Sequence, residues 1–252
     1  MGRIDGRVAL ITGGESGIGL ATARLLVARG AYVHLVGVNR EALDAAGTEL
    51  GPAQCALSVA DVTSSEQVRA AVGDALERFG RLDVVFSNAG IAGDTACIED
   101  YPEDVFRRVL DVHVVGTFLL LKYTLPHLGP GGSVIINSSV VGLTAEPAIS
   151  GYATAKHAQV GLMRVAAREA AARGIRVNTI HPGPTDTPFQ REVEKTATGL
   201  SPEMAFEMFN AMIPLGRHAT PEEIARTVLY LASDDSAFTT GATLAVDGGM
   251  TI

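Results

Sequence analysis

Val8-Ala9-Leu10-Ile11-Thr12-Gly13-Gly14-Glu15-Ser16-Gly17-Ile18-Gly19 runs from an unbroken apolar stretch into a cluster of glycines and out into a helical pattern. An apolar run with no alternation suits a strand covered on both faces, as in a parallel sheet. Glycine allows a tight turn and lets backbone amides approach a phosphate. The helix that follows points the positive end of its dipole at the same place. A glycine turn after the first strand is where dinucleotides bind in α/β architectures. The spacing is TGxxxGxG rather than the commoner GxGxxG, and a βα turn without a ligand is the competing reading.

The alternation continues outward from that turn. The pattern predicts a helix over 18–29 ending at Gly30, a strand over Tyr32–Val36, a helix over 40–50 and a strand over Ala56–Val59. Ser64-Ser65-Glu66-Gln67 starts another helix with a Ser cap. Strands follow at Leu82–Ser87, Ser133–Asn137, Arg176–Ile180 and Thr243–Val246, with one or two long helices over 103–127 and a helix over 151–173. Pro221 opens a further helix after Thr220. Strand-helix-strand alternation implies right-handed crossovers and a doubly wound α/β fold of about seven strands. The expectation is one Rossmann-type domain over residues 1–252, with no repeat or linker. Residues 183–212 mix Pro, Thr and Gly with Phe189, Met204, Phe206, Met208, Phe209 and Met212. They are too apolar for a disordered tail, and read as a helical lid at about 184–212 or as ordinary packing.

Bulk properties narrow the class. At 252 residues and 47% hydrophobic, the chain can build a large core without staples. The net charge is −8, from 20 Lys+Arg against 28 Asp+Glu, with no basic run, which disfavours nucleic acid and anionic membranes. Cys55 and Cys97 are the only cysteines; they predict a reduced, cytoplasmic protein and exclude a cysteine-rich zinc site. Met1–Gly6 has no apolar segment of the secretory type, and Val112–Leu121 is too short to span a bilayer.

Tyr152 and Lys156 stand four residues apart and share a helix face. A free Tyr titrates near about pH 10, and a neighbouring ammonium favours the phenolate. The pair is therefore a candidate acid/base, although YxxxK also occurs by chance.

The glycine turn resembles that of the short-chain dehydrogenase/reductase family, and other motifs extend the likeness over nearly the whole chain. Ser87-Asn88-Ala89-Gly90 resembles the family's NNAG element; Asn137-Ser138-Ser139 its catalytic Ser segment, ahead of Tyr152; Asn178-Thr179-Ile180-His181-Pro182-Gly183 with Thr187 its NxIxPG…T element; and Val246-Asp247-Gly248-Gly249 its C-terminal turn. The likeness is nearest to the 3-oxoacyl-reductase and secondary alcohol dehydrogenase members. It implies an NAD(P)-dependent oxidoreductase, a ketoreductase or alcohol dehydrogenase, that requires no metal. Tyr152 would be the acid/base and Ser139 would hydrogen-bond the substrate oxygen. Lys156 would hold the nicotinamide ribose and lower the Tyr152 pKa. The resemblance assigns cofactor contacts to Gly13, Glu15, Ser16, Gly17, Ile18 and Gly19 in the turn, to Gly37 and Asn39 after the second strand, and to Asp61 and Val62. It extends them to Asn88, Ala89 and Gly90, to Pro182, Gly183, Thr185 and Thr187, and to Tyr152 and Lys156. A non-catalytic NAD(P)-binding regulator is the alternative, and retention of Ser139, Tyr152 and Lys156 speaks against it.

Two departures stand out. Asp111-Val112-His113-Val114-Val115-Gly116 puts His113 where the family's fourth catalytic residue is Asn. A His can also donate and accept, so it could serve the proton relay to solvent. Gly37 stands where NAD-preferring enzymes carry an acid. That leans the expectation toward NADP, although Val38 supplies no cation and Glu15 would oppose a phosphate. The expected substrate is a hydrophobic or mixed secondary alcohol or ketone, lying among Ile91-Ala92-Gly93, Val141-Gly142-Leu143, Ala148-Ile149 and the lid. The family often forms tetramers through its long helices, so a homotetramer is expected.

Overall fold

The computed structural model describes residues 4–252; Met1–Arg3, part of the N-terminal stretch considered above, lie outside the described residues. Seven strands form one sheet in the order β3-β2-β1-β4-β5-β6-β7, all parallel. They are β1 (Val8–Thr12), β2 (Tyr32–Gly37), β3 (Cys55–Val59), β4 (Leu82–Ser87), β5 (Leu128–Asn137), β6 (Arg176–Pro182) and β7 (Thr243–Val246). The helices are α1 (Gly17–Val27), α2 (Arg40–Leu50), α3 (Ser65–Phe79), α4 (Glu103–Leu110), α5 (Gly116–Thr124), α6 (Ser150–Ala170), α7 (Pro188–Thr198), α8 (Pro202–Met212) and α9 (Pro221–Ala232). This is the doubly wound Rossmann fold.

Side chains alternate across a strand, and β1 shows how the sheet is covered on both faces. Val8 and Leu10 join a core with Val68 of α3, Leu120 of α5 and Met163 of α6. Ala9 and Ile11 join another with Leu26 of α1 and Ile224 of α9. Each large aliphatic side chain so buried contributes about 1.5–3 kcal/mol. The strand order reverses between β1 and β4, which opens a crevice at their C-terminal ends.

Local chemistry sets the helix starts. The Ser64 hydroxyl accepts from the Gln67 amide at α3. At α9, Thr220 and Glu223 form a reciprocal capping box with Pro221 in the first turn. The 103–127 segment is interrupted: a π-helical turn, Asp111–Val115, separates α4 from α5 and carries His113. By length and composition this segment could cross a membrane, but here it packs between α3 and α6. Residues 183–212 are more regular than the composition suggests. Thr187 and Ser201 cap α7 and α8, and each helix has Pro in its first turn. β5 begins earlier than the sequence indicates, because Gly129-Pro130-Gly131-Gly132 disguises its first half; its pairing with β4 shifts register there.

Candidate active site

The C-terminal ends of β1, β4, β5 and β6 open into a cleft of about 620 Å³. Its floor begins at the glycine turn. Gly13 and Gly17 have φ of 61° and 49°, a conformation that other residues rarely adopt. A Cβ on Gly13 would lie 3.0 Å from Asn88 Nδ2 and 3.1 Å from Ala89 Cα, so the turn packs directly on the end of β4. Asn88 holds that junction: Nδ2 donates to the carbonyls of Thr12 (3.1 Å) and Gly13 (3.0 Å), and Oδ1 accepts from Asn137 Nδ2 (2.9 Å). Ser16 occupies the N-cap position of α1 but makes no side-chain capping bond, leaving the helix's first amides facing the cleft.

Tyr152 and Lys156 lie on the first turns of α6, where Ala148 (φ 65°) turns the chain into the helix. Lys156 Nζ stands 5.2 Å from the Tyr152 ring centre and donates to the Asn137 carbonyl at 2.8 Å. Burial pushes the Tyr152 phenol up to about 12, against the pull of a hydrogen bond with Ser139. Burial also drives Lys156 down to about 7. The spacing anticipates that Lys156 lowers the Tyr152 pKa; here burial, which disfavours the charged form of each, is the larger influence on both, and one Lys156 N–H donates to the Asn137 carbonyl.

Ser139 lies just past the end of β5, and its backbone carbonyl meets His181 Nδ1 at 2.7 Å. That carbonyl can only accept, so Nδ1 carries the proton and Nε2 accepts from the Thr179 hydroxyl at 2.9 Å. Burial lowers the His181 pKa, in keeping with a neutral ring. His181 thus fixes the backbone of Ser139, a role its motif did not reveal.

Most of the sequence-derived contacts line this cleft: Glu15, Ile18, Gly37, Asp61, Val62, Ala89 and Gly90 at one end, and Pro182, Gly183, Thr185 and Thr187 at the other. Asp61 also accepts from Thr63 N at 2.9 Å. Two expected contacts are placed elsewhere. Gly19 lies under the turn, where a Cβ would collide with the Gly13 carbonyl. Asn39 is exposed and caps α2 by accepting from Ala42 N at 3.1 Å. Among the described residues no group of three or more His, Cys, Asp or Glu side chains could hold a metal. Cys55 is buried, its thiol pushed by burial up to about 11, and Cys97 is exposed; both are free thiols.

A family model described as enoyl-(acyl carrier protein) reductase matches residues 13–251. The chain is 42% identical to a cis-4-hydroxycyclohexanecarboxylate dehydrogenase of Sinomonas cyclohexanicum, covering 97% of this chain and 96% of that protein. It is 39% identical to a 2,5-dichloro-2,5-cyclohexadiene-1,4-diol dehydrogenase of Sphingobium indicum, covering 100% and 99%. The crystal structure of levodione reductase superposes with a TM-score of 0.94 at 38% identity, over 98% of each chain.

The chain belongs to the short-chain dehydrogenase/reductase family.

It is accordingly an oxidoreductase that exchanges hydride between NAD(P) and a secondary alcohol or ketone. The residues present fit such a dinucleotide: a glycine cradle that side chains would fill, open amides at α1, and two buried oxygens, Glu15 Oε2 and Asn137 Oδ1, that lack a hydrogen-bond partner among the described residues.

His113, at the short-chain dehydrogenase/reductase Asn position, is 1% exposed. Its Nε2 lies 2.7 Å from the Ile91 carbonyl and 3.1 Å from the Ile91 amide. Its ring meets Tyr152 edge-on, with centroids 5.4 Å apart. Burial and then the nearby Lys156 push its pKa down to about 3, so the ring is neutral near pH 7. The ring takes the space above Gly90, where any Cβ would overlap Cε1.

The lid forms the opposite wall. Phe189 of α7 faces the Tyr152 ring at 6.2 Å. Glu194 of α7 is held beneath by His218, with Nε2 to Oε1 at 2.6 Å; both side chains are buried. Gln190 donates to the same oxygen at 3.0 Å, and Phe206 of α8 stacks on the His218 ring at 4.1 Å. A single sequence gives no signal that positions 194 and 218 meet.

Proposed function

We propose that this chain interconverts secondary alcohols and ketones carried on a six-membered ring, using NAD(P). The single observation that carries the reading is the convergence of Ser139, Tyr152 and Lys156 at the floor of a cleft walled by Ile91, Val141, Ile149, Phe189, Phe209 and Met212. An apolar wall with convergent polar groups suits a compact ring bearing one hydroxyl or carbonyl better than a phosphorylated sugar. Two relatives above are named for cyclohexane or cyclohexadiene substrates, which supports the same class.

When bound, the dinucleotide supplies or accepts the hydride. In reduction, the Tyr152 hydroxyl gives its proton to the substrate oxygen and Ser139 donates a hydrogen bond to that oxygen as charge builds on it. In oxidation Tyr152 takes the proton back. Lys156, which donates to the Asn137 carbonyl, would hold the nicotinamide ribose. His113 acts by position, fixing Gly90–Ile91 and supporting the edge of Tyr152. Gly37 alone leans the choice toward NADP; the Glu15 carboxyl, which lies against Gly37, supports NAD instead.

The proposal extends to assembly and place. Val115 and Phe118, on the segment carrying α5, and Val165 on α6 are exposed apolar residues, which supports self-association through these helices into a tetramer. Two free thiols suit a reducing cytoplasm.

The test is cofactor-dependent turnover across cyclohexanol, an open-chain secondary alcohol and a sugar phosphate. The ring alcohol should show kcat/KM about tenfold or more above the open chain. Preference for the sugar phosphate would refute the substrate class.

A further inference from the structure

The end of β2 in this fold holds the adenine-side ribose, usually through an acid. Here β2 ends on Gly37, without a side chain. The place is filled from another segment. Glu15, in the glycine turn, lays its carboxyl over Gly37, so closely that a Cβ there would overlap Oε1, Oε2 and Cδ together. Both residues line the cleft. Glu15 Oε2 is buried and has no hydrogen-bond partner among the described residues. Leaving a buried acceptor unmatched is costly, and a ligand bringing hydroxyl donors would relieve it.

Resting on the NAD(P)-dependent reading above, we propose that Glu15 is this chain's cofactor-selecting acid, accepting the adenosine ribose hydroxyls of NAD and excluding the 2′-phosphate of NADP.

The surroundings agree. A 2′-phosphate would bring negative charge and further acceptors against a carboxylate that needs donors. No cation from the adjoining segment offsets it. Val38 lines the cleft with an apolar side chain, and the Asn39 side chain is engaged at the α2 cap. Arg40 lies 3.9 Å from Asp44, is exposed and does not line the cleft. The cations that do line it, Arg108 and Lys156, come from α4 and α6, not from the glycine turn or the β2–α2 connection. The glycine at 37 is then required rather than incidental: it is the space in which the Glu15 carboxyl lies.

The test is the dissociation constant of each dinucleotide by titration calorimetry, with the shift in melting temperature as a second readout. Wild type should bind NAD about a hundredfold or more tighter than NADP, the scale of a like-charge contact of a few kcal/mol. Glu15→Gln should tighten NADP about tenfold or more while weakening NAD, because a neutral amide oxygen is the poorer acceptor of the ribose hydroxyls. Glu15→Ala/Gly37→Asp, which returns the acid to β2, should recover the preference for NAD, whereas Glu15→Ala alone should lose it. Wild-type binding of NADP as tight as NAD would overturn the proposal, as would a ratio unchanged in both Glu15 variants. Binding of neither dinucleotide would instead remove the function on which it rests.

Discussion

His218→Phe should loosen the lid and destabilise the whole chain, by an amount the structure bounds. The His218 and Glu194 side chains are 2% and 3% exposed. Nδ1 of His218 faces Asn210 Oδ1 at 2.7 Å, and the same oxygen accepts from the His218 amide at 2.9 Å, so Nδ1 must donate. One further proton lies between Nε2 and Glu194 Oε1, whichever atom carries it. Phe at 218 keeps the stack on Phe206 but leaves the Glu194 carboxyl buried beside carbon, with Gln190 as its remaining side-chain donor. Removing one partner of a buried pair costs about 3–5 kcal/mol. In a chain of this size each kcal/mol lowers the melting temperature by about 2–4 °C, so the loss should be about 6–20 °C. Glu194→Met should cost less, about 1–3 kcal/mol, because it strands a ring nitrogen rather than a carboxyl. The double variant should recover much of the loss, giving a coupling of about 2 kcal/mol or more. The assay is urea unfolding followed by far-UV circular dichroism, since the chain has no Trp to report by fluorescence. In parallel, KM for the alcohol should rise while kcat changes less. A His218→Phe protein within about 1 kcal/mol of wild type, or strict additivity in the double variant, would refute the latch.

Further outcomes follow from the same geometry. Lys156 titrates near 7 when folded and at its ordinary 10.5 when unfolded, so the unfolded chain binds more protons between those values. Wild-type stability should therefore rise, relative to Lys156→Met, as pH climbs through that window; a difference flat from about pH 6 to about pH 10 would contradict the burial of Lys156. His113→Asn should keep a rate within about tenfold of wild type, because Asn can also pair with the backbone of Ile91; a large gain would show that His113 impedes turnover. Gly90→Ala should displace the His113 ring and lower kcat, whereas Gly90→Ala/His113→Asn should restore part of it; equal effects in both backgrounds would deny the contact.

Much of the fold is legible in the sequence, because local chemistry and tertiary demand coincide there. Val8–Ile11 is apolar throughout, and a strand covered on both faces accommodates such a run. Thr220-Pro221-Glu222-Glu223 carries a whole helix start within four residues. Legibility fails where the deciding partner is distant. Leu128–Gly132 reads as a turn, yet Leu128 pairs with Leu82 of β4 and the ladder resumes at Ser133 after an irregularity. The lid helices start on ordinary Thr-Pro and Ser-Pro caps, yet their composition resembles a loop. Ser139, Tyr152 and Lys156 were legible as a set from motif order. What their environment does to them was not: Tyr152 and Lys156 shift in opposite directions from one shared cause, burial. The bond of His181 to Ser139, the latch from His218 to Glu194 and the reach of Glu15 over Gly37 are long-range or side-chain facts that no spacing rule contains.

The proposed chemistry places the acid/base at Tyr152. Steady-state oxidation of cyclohexanol by wild type and Tyr152→Phe, with both ligands saturating and the dinucleotide dissociation constant measured alongside, tests it most directly. For Tyr152→Phe, kcat should fall by about 10²–10⁴ while the dissociation constant moves by less than about threefold. A Tyr152→Phe protein that turns over within about threefold of wild type would contradict it.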